Sequence, residues 1–445
     1  MSFKMFNSLT SSVEEVVPSD GPLHLFMCGP TVYGSMHAGH AKTYVQMDFL
    51  VSYMRSQFPV KYLMNITDVD DKIIKKANAL GVPFSEVAVE FEEEFFNDMA
   101  WLRNSHPNMV ARASEFIPEI VNQIERLAAA GFAYQLDDGW YFDALKARGY
   151  HSLAANPVAT AGDDARKHSS ADFALWKLHK PGEPAWESSL GFGRPGWHVE
   201  DTAITESLFG SQYDMHGGAV DLVFPHHEAE IAIMETLSGK APLAKHWTHT
   251  GLLLVNGAKM AKSADNFITV SKLREEWSAE SMRFLFFSSH YRSSSELSEH
   301  SVQTAEGARS RVEAFYRNVQ GEQDSMALEE LTAEARIEFF KHLDDDFNTP
   351  EALQVLFTYI KTVNLSEGVP GKSAKAFLDD INDLFRLFTF DEQKNIAADI
   401  QALIDQRERA RQEKDFATAD SIRAILTARG VALEDTPNGP IWHHV

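Results

Sequence analysis

Between Leu23 and Ile66 the sequence runs strand, helix, strand. Leu23–Met27 is a short apolar run, Ala41–Gln57 carries a helical pattern, and Val60–Ile66 is again strand-like. Two strands joined through a helix lie parallel with a right-handed crossover. That unit predicts an open α/β sheet for the first half of the chain. Such sheets take ligands beyond the carboxyl ends of their strands. Two segments stand there: Cys28 to His40 after the first strand, and Asn65 to Lys72 at the end of the second.

The first segment joins a thiol, a glycine-containing turn, and His37 and His40 at the predicted start of a helix. The two histidines are one helical turn apart and share a face. Gly39 lets a ligand approach the backbone closely. The first turn is expected to offer free N–H donors and a positive dipole end to phosphate. The imidazoles could then stabilise charge on a reacting phosphate. Without that context Cys28 is equally a small buried hydrophobe. A second phosphate-handling candidate, Lys259-Met260-Ala261-Lys262-Ser263, follows an Asn256-Gly257 turn. Its two cations suit a clamp on a triphosphate, or are a plain basic loop. A third cluster sets His226 and Glu230 at i, i+4 on one helical face, with Pro225 in the first turn. Imidazole, carboxylate and thiolate are all zinc-ligand types. Acids near a helix N-terminus are the simpler explanation.

The chain has 445 residues, enough for two or three domains. Its formal charge of -23 argues against a protein that coats nucleic acid through bulk electrostatics, without excluding local basic patches. Basic residues do gather near the far end, at Arg407, Arg409, Arg411, Lys414, Arg423 and Arg429, whereas Gly81 to Ala100 is acidic without any Lys or Arg. One cysteine excludes an internal disulfide framework and fits a reducing cytoplasm. No apolar run is long enough for a membrane span, and no secretory leader pattern precedes the first strand.

Along the chain, a helix from Ile117 to Gly131, a hairpin from Tyr134 to Phe142 and a small-residue loop from His151 to Ser170 read as an insertion. Sheet character returns from Trp197 to Leu222 and from Trp247 to Val255. Helical periodicity dominates after Glu299, with a break at Asp344 to Pro350 and a helix start at Asn348-Thr349-Pro350. A small module with a charged helix closes the chain.

Taken in order over nearly the whole length, these segments resemble the cysteinyl-tRNA synthetase family of class I aminoacyl-tRNA synthetases. His37-Ala38-Gly39-His40 stands at the family's first signature (HIGH) and Lys259 to Ser263 at its second (KMSKS). Asn65 to Ile74, Pro195 to His198, Asp214 to Gly218, Phe224 to Glu228, Ser289 to Arg292, Asp344 to Pro350 and Asp415 to Asp420 are similar to further blocks. The resemblance implies an α/β fold: a Rossmann-type parallel-sheet catalytic domain at 1–110 and 171–300, with an inserted subdomain at 111–170. A helical, DALR-like anticodon-side domain at 301–391 and a small C-terminal tRNA-binding module at 392–445 would follow.

The implied reaction is ATP-dependent ligation of cysteine to tRNA(Cys) through cysteinyl-adenylate, with Mg²⁺ on the ATP. His37, His40, Lys259 and Lys262 would be catalytic. His37, Gly39, His40, Gly217, Gly218 and Lys262 would surround ATP. Cys28, Thr67, Trp197, Asp221 and His226 would surround L-cysteine. Cys28, His226 and Glu230 match three of the family's four zinc ligands, where zinc takes the substrate thiolate. A monomer in the cytoplasm, without membrane contact, is expected.

The chain departs from the family at the fourth ligand, where Asp201 replaces a cysteine. An aspartate can still ligate zinc through oxygen, but makes a harder site that depends more on hydrogen-bonded support. Ala261, Ala219 and Phe116 are lesser departures. Two alternatives accompany the main reading: a ligase joining cysteine to a small amine, as in the related mycothiol ligases, and a repurposed paralogue with altered amino-acid choice.

Overall fold

The structure, a computed structural model, describes residues 3–19, 21–147, 150, 152–154, 164–260, 266–319, 324–366, 370–389, 398–429, 431–436 and 439–444. The expected crossover forms from β1 (Leu23–Met27), α1 (Ala38–Gln57) and β2 (Val60–Ile66). Helix α2 (Phe84–Trp101) then leads to β3 (Met109–Arg112). After the insertion come α3 (Trp197–Phe209), β4 (Tyr213–Ala219), α4 (Glu228–Ser238) and β5 (Ala244–Thr250). The five strands pair in parallel in the order β5-β4-β1-β2-β3. That order reverses between β1 and β4, and such a reversal opens the crevice in which doubly wound sheets bind ligands.

Strand β1 is apolar throughout its core because both faces are covered. Leu25 and Met27 pack on the α1 side, whereas Phe26 packs with Leu63 of β2 and with Val199 and Ile231 of α3 and α4. Alternate residues of a strand serve opposite faces, so a run without polar alternation marks burial on both. Helix α1 is also buried along most of its length. It even encloses Lys42, whose Nζ donates to the carbonyls of Gly251 (2.7 Å) and Ser293 (3.0 Å).

The expected hairpin supplies the first two strands of an antiparallel sheet: Ala133–Leu136, Gly139–Phe142, Phe173–Leu178 and Gly193–Pro195. Its last two strands lie beyond residue 170. Most of the His151 to Ser170 loop falls outside the described residues. One expectation is corrected: Trp197–Phe209 is a helix, not a strand, and sheet resumes only at Tyr213.

Helices Glu299–Arg317, Met326–Asp344, Thr349–Leu365 and Lys372–Phe385 follow, then Ala398–Gln412, Phe416–Ala428 and a terminal hairpin. Asn348 caps its helix by accepting from Glu351 N, with Pro350 in the first turn. Just before it, Asp346 fastens distant segments. Its carboxylate accepts from Phe6 N and Tyr291 Oη, both at 2.8 Å, and from Arg292 Nε at 2.9 Å. No helix among the described residues is long and apolar enough to cross a membrane.

Candidate active site and metal centre

Four elements meet in the crevice between β1 and β4. Cys28 leaves β1 with its N–H donated to Gly217 O of β4 (3.1 Å) and its thiol buried. Asp201 comes from the second turn of α3, and Glu230 from the first turn of α4. His226 stands in a single π-helical turn, Val223–His227, before α4. The expected local geometry is corrected here. Pro225 is not in the first turn of an α-helix; it follows a cis bond from Phe224 in a kinked turn, and α4 begins at Glu228. His226 and Glu230 still approach, Nε2 to Oε1 at 4.0 Å. One ligand atom each from Cys28, Asp201, His226 and Glu230 lies within 4.8 Å of all the others. Asp201 Oδ2 is 3.0 Å from His226 Nε2 and 3.7 Å from Cys28 Sγ.

A second donor set overlaps this one: Cys28, His216, His227 and Glu230. Cys28 Sγ lies 3.4 Å from His216 Nε2 and 3.2 Å from His227 Nε2. Sequence reasoning assigned neither histidine, although His227 adjoins His226 and His216 is a polar residue inside a buried strand. The outer ring nitrogens are held by Tyr213 Oη on His216 (2.7 Å), His249 Nε2 on His227 (2.8 Å) and His198 Nδ1 on His226 (2.9 Å). Such outer contacts fix the ring orientation of metal-binding histidines.

The electrostatics are those of acids crowded without a counter-charge. Burial pushes the Cys28 thiol well up, and Glu230 and Asp201 add to it. Burial likewise raises the Glu230 carboxyl, with Asp201 contributing, and lowers His216 and His227. A divalent cation reverses that logic by favouring thiolate and carboxylate. Glu230 Oε2 is buried and accepts no hydrogen bond among the described residues. That orphan, with one sulfur, imidazoles and carboxylates around it, fits a zinc-type ion. Asn65 braces the cluster. Its Oδ1 accepts from Gly29 N and its Nδ2 donates to Asp201 Oδ1, both at 2.6 Å.

The expected phosphate side lies at the start of α1. His37 is the N-cap: its Nδ1 accepts from Gly39 N (3.1 Å) and His40 N (3.3 Å). The expectation of free donors in the first turn is thereby corrected, because those two N–H groups already have a partner. The bonding fixes the tautomer, leaving Nε2 as the protonated nitrogen of a neutral ring. The His37 and His40 rings stack with centroids 3.7 Å apart. A Cβ on Gly39 would lie 3.0 Å from Met260 Cε, so the two signature segments touch there. Lys259 Nζ pairs with Asp221 Oδ2 at 2.9 Å. Lys262 lies outside the described residues.

The remaining expected residues distribute as follows. Thr67 is buried at the end of β2, with Thr67 N donating to Pro30 O (3.1 Å). Trp197 opens α3 and stacks on His226, centroids 4.1 Å apart. Gly217 and Gly218 are buried within β4. A Cβ on Gly218 would meet the buried His227 ring at 2.9 Å, so close packing already accounts for that glycine, whereas one on Gly217 would meet the flexible Met27 Sδ at 2.9 Å. Phe116 packs partly buried against the core beneath α3 and α4.

Three family matches tile the chain. Residues 15–307 match the tRNA synthetases class I (C) catalytic domain, 338–389 the DALR domain and 394–442 the cysteinyl-tRNA ligase anticodon binding domain. The cysteine--tRNA ligase of Thermococcus onnurineus is 37% identical, covering 100% of both chains. That of Geobacter sulfurreducens is 37% identical over 99% of each. Among solved structures, Mycobacterium tuberculosis methionyl-tRNA synthetase in complex with methionyl-adenylate covers 82% of this chain and 88% of its own at 15% identity and a TM-score of 0.58. The ternary complex of Agrobacterium radiobacter K84 LeuRS, tRNA and LeuAMS covers 83% of each chain at 10% identity and a TM-score of 0.60.

Proposed function

Since the chain belongs to the cysteine--tRNA ligase family of class I aminoacyl-tRNA synthetases, we propose how its own residues divide the work of joining cysteine to tRNA(Cys). The reading rests on one observation: thiol, imidazole and two carboxylates from four elements converge in the crevice. Cys28, Asp201, His226 and Glu230 would hold a zinc ion there, which when bound would supply a soft partner for the substrate thiolate that the hydroxyl of serine matches poorly. Trp197 walls the pocket by stacking on His226, and Thr67 and Asp221 orient the amino-acid backbone. Gly217 and Gly218 keep the floor of the ATP site thin.

Adenylate formation needs no covalent help from the protein. The cysteine carboxylate oxygen attacks the α-phosphorus of Mg²⁺-bound ATP, and pyrophosphate leaves with the electron pair of the broken P–O bond. His37 donates from Nε2 to the charge that develops, with His40 stacked beside it. Gly39 leaves room for the nucleotide, and Lys259 and Lys262 neutralise the departing phosphates. The terminal ribose hydroxyl of tRNA(Cys) then attacks the adenylate carbonyl and AMP leaves. The helical domain at 301–391 and the module at 392–445 hold the anticodon arm, with 1–110 and 171–300 as the catalytic domain and 111–170 as its insertion. The enzyme acts as a cytoplasmic monomer.

Coverage of full-length relatives through the anticodon-binding region gives the small-amine alternative no support. Amino-acid choice is tested by pyrophosphate exchange with cysteine and with serine, beside a zinc assay of the purified protein. Cysteine-dependent exchange with about one zinc per chain is expected. Equal exchange with serine, or a zinc-free protein, would overturn the thiol-selecting role of the cluster.

A further inference from the structure

Asn65 is 1% exposed and uses both ends of its amide on the metal cluster's frame. One end accepts from Gly29 N, the backbone that follows Cys28; the other donates to Asp201 Oδ1. Only this orientation of the amide makes both contacts donor-to-acceptor pairs. The packing around it is closed. A Cβ on Gly29 would lie 1.7 Å from Asn65 O, so the turn after β1 and the end of β2 are in direct contact. Asn65 Nδ2 is also 3.5 Å from Thr67 Oγ1.

The consequence falls on Asp201. Its carboxylate has two equivalent oxygens, and a cation could draw on either. With Oδ1 tied to Asn65, Oδ2 is the oxygen that faces His226 and Cys28. We propose that Asn65 is the positioning residue that makes an aspartate usable as the fourth metal ligand: it orients the carboxylate, delocalises its charge and ties it to the backbone beside Cys28. The inference rests on the reading of Asp201 as a ligand. A cysteine at 201 has one sulfur, needs no choice between donor atoms and is a weaker hydrogen-bond acceptor. Dependence on Asn65 is therefore specific to the aspartate.

The test is a double-mutant comparison of zinc affinity on the full chain, measured by chelator competition, for wild type, Asn65→Ala, Asp201→Cys and the double variant. Loss of an outer-shell partner weakens metal binding by about 10–100-fold, and that loss is expected in the Asp201 protein. In the Asp201→Cys protein the same substitution is expected to cost about threefold or less. If Asn65→Ala does not fold, Asn65→Ser carries the same comparison. Equal losses in both backgrounds make Asn65 a general structural residue and overturn the proposal, as does no loss in either. A wild type that binds no zinc while Asp201→Cys does removes Asp201 as a ligand. The zinc reading then falls first and the inference with it, a pattern distinct from equal losses.

Discussion

His37 divides two tasks between two nitrogens, and substitutions can separate them. Nδ1 caps α1, and Nε2 is the nitrogen proposed above to serve the reacting phosphate. Asparagine is among the best N-cap residues. His37→Asn is therefore expected to keep unfolding free energy within about 0.5 kcal/mol of wild type while slowing pyrophosphate exchange by about 10²–10³-fold, the usual cost of one transition-state donor. His37→Ala should slow exchange equally and lose about 1 kcal/mol as well. An Asn variant with near-normal exchange would remove His37 from the chemistry. The His37/His40 pair, and the quartet around Cys28, could be named from the sequence because their spacing is local or matches a known family. The roles of His216, His227, His249 and Asn65 could not. Each depends on which face of a strand meets which helix, and the first-turn donors of α1 looked free only because the cap's ring orientation is a property of the folded chain.

Among the elements, α2 carries its own measurable signature. The acidic run first seen between Gly81 and Ala100 becomes a helix whose Asp98 is 3% exposed and paired with Arg274 Nη2 at 2.8 Å. Burial pushes its carboxyl up to about 6; Arg274 pulls it down and Glu94 raises it further. In the unfolded chain the group titrates near its ordinary value, about 3.9. Below about pH 4 both states hold the proton and nothing is gained or lost. Between about pH 4 and 6 the unfolded chain has released the proton while the native state still holds it, so stability falls across that window and levels off above it. Asp98→Asn is thus expected to exceed wild type by about 2 kcal/mol at pH 8 and to equal it at pH 4, by urea denaturation. A difference independent of pH would contradict the assignment. Elements were legible where one face is wet or a strand is flanked by turns, as for β2 and the helix at Ile117. They were illegible for α3. There His198 to Thr205 are all buried, so no polar stripe marks the helical period, and Val199 and Ile204 imitate a strand.

Long-range polar fastenings join the two halves. Arg386, at φ 53°, reaches from the end of the helical region to Asp48 Oδ2 of α1 at 3.0 Å. Arg283 is fully buried and donates to the carbonyls of Leu102 and Phe385, both at 2.8 Å. Asp346 gathers Phe6, Tyr291 and Arg292 around one carboxylate. Asp346→Ala strands all three partners, and a loss of about 3 kcal/mol is expected in urea unfolding, the scale of breaking a buried charge pair. Exchange activity per folded molecule should stay unchanged, since the reacting groups lie elsewhere. A loss under about 0.5 kcal/mol, as for a surface substitution, would show the junction to be ornamental. The alternation of strands and helices announced the α/β half and the periodicity announced the helical half. Nothing local in Asp344-Asp345-Asp346 announced that the run is a rivet, since its partners lie tens to hundreds of positions away.

That rivet orders events on the ribosome. Phe6 N bonds a carboxylate 340 residues later in the sequence. At ordinary rates of synthesis, Phe6 waits roughly 20–70 s for its anchor to be made. Through that interval Lys4–Asn7 has its local partner Ser12–Glu15 but lacks the later segment that takes Phe6 N. Translation slowed before Asp346 is added would prolong that wait and is expected to lower soluble yield, even though every residue of the candidate site has already been made.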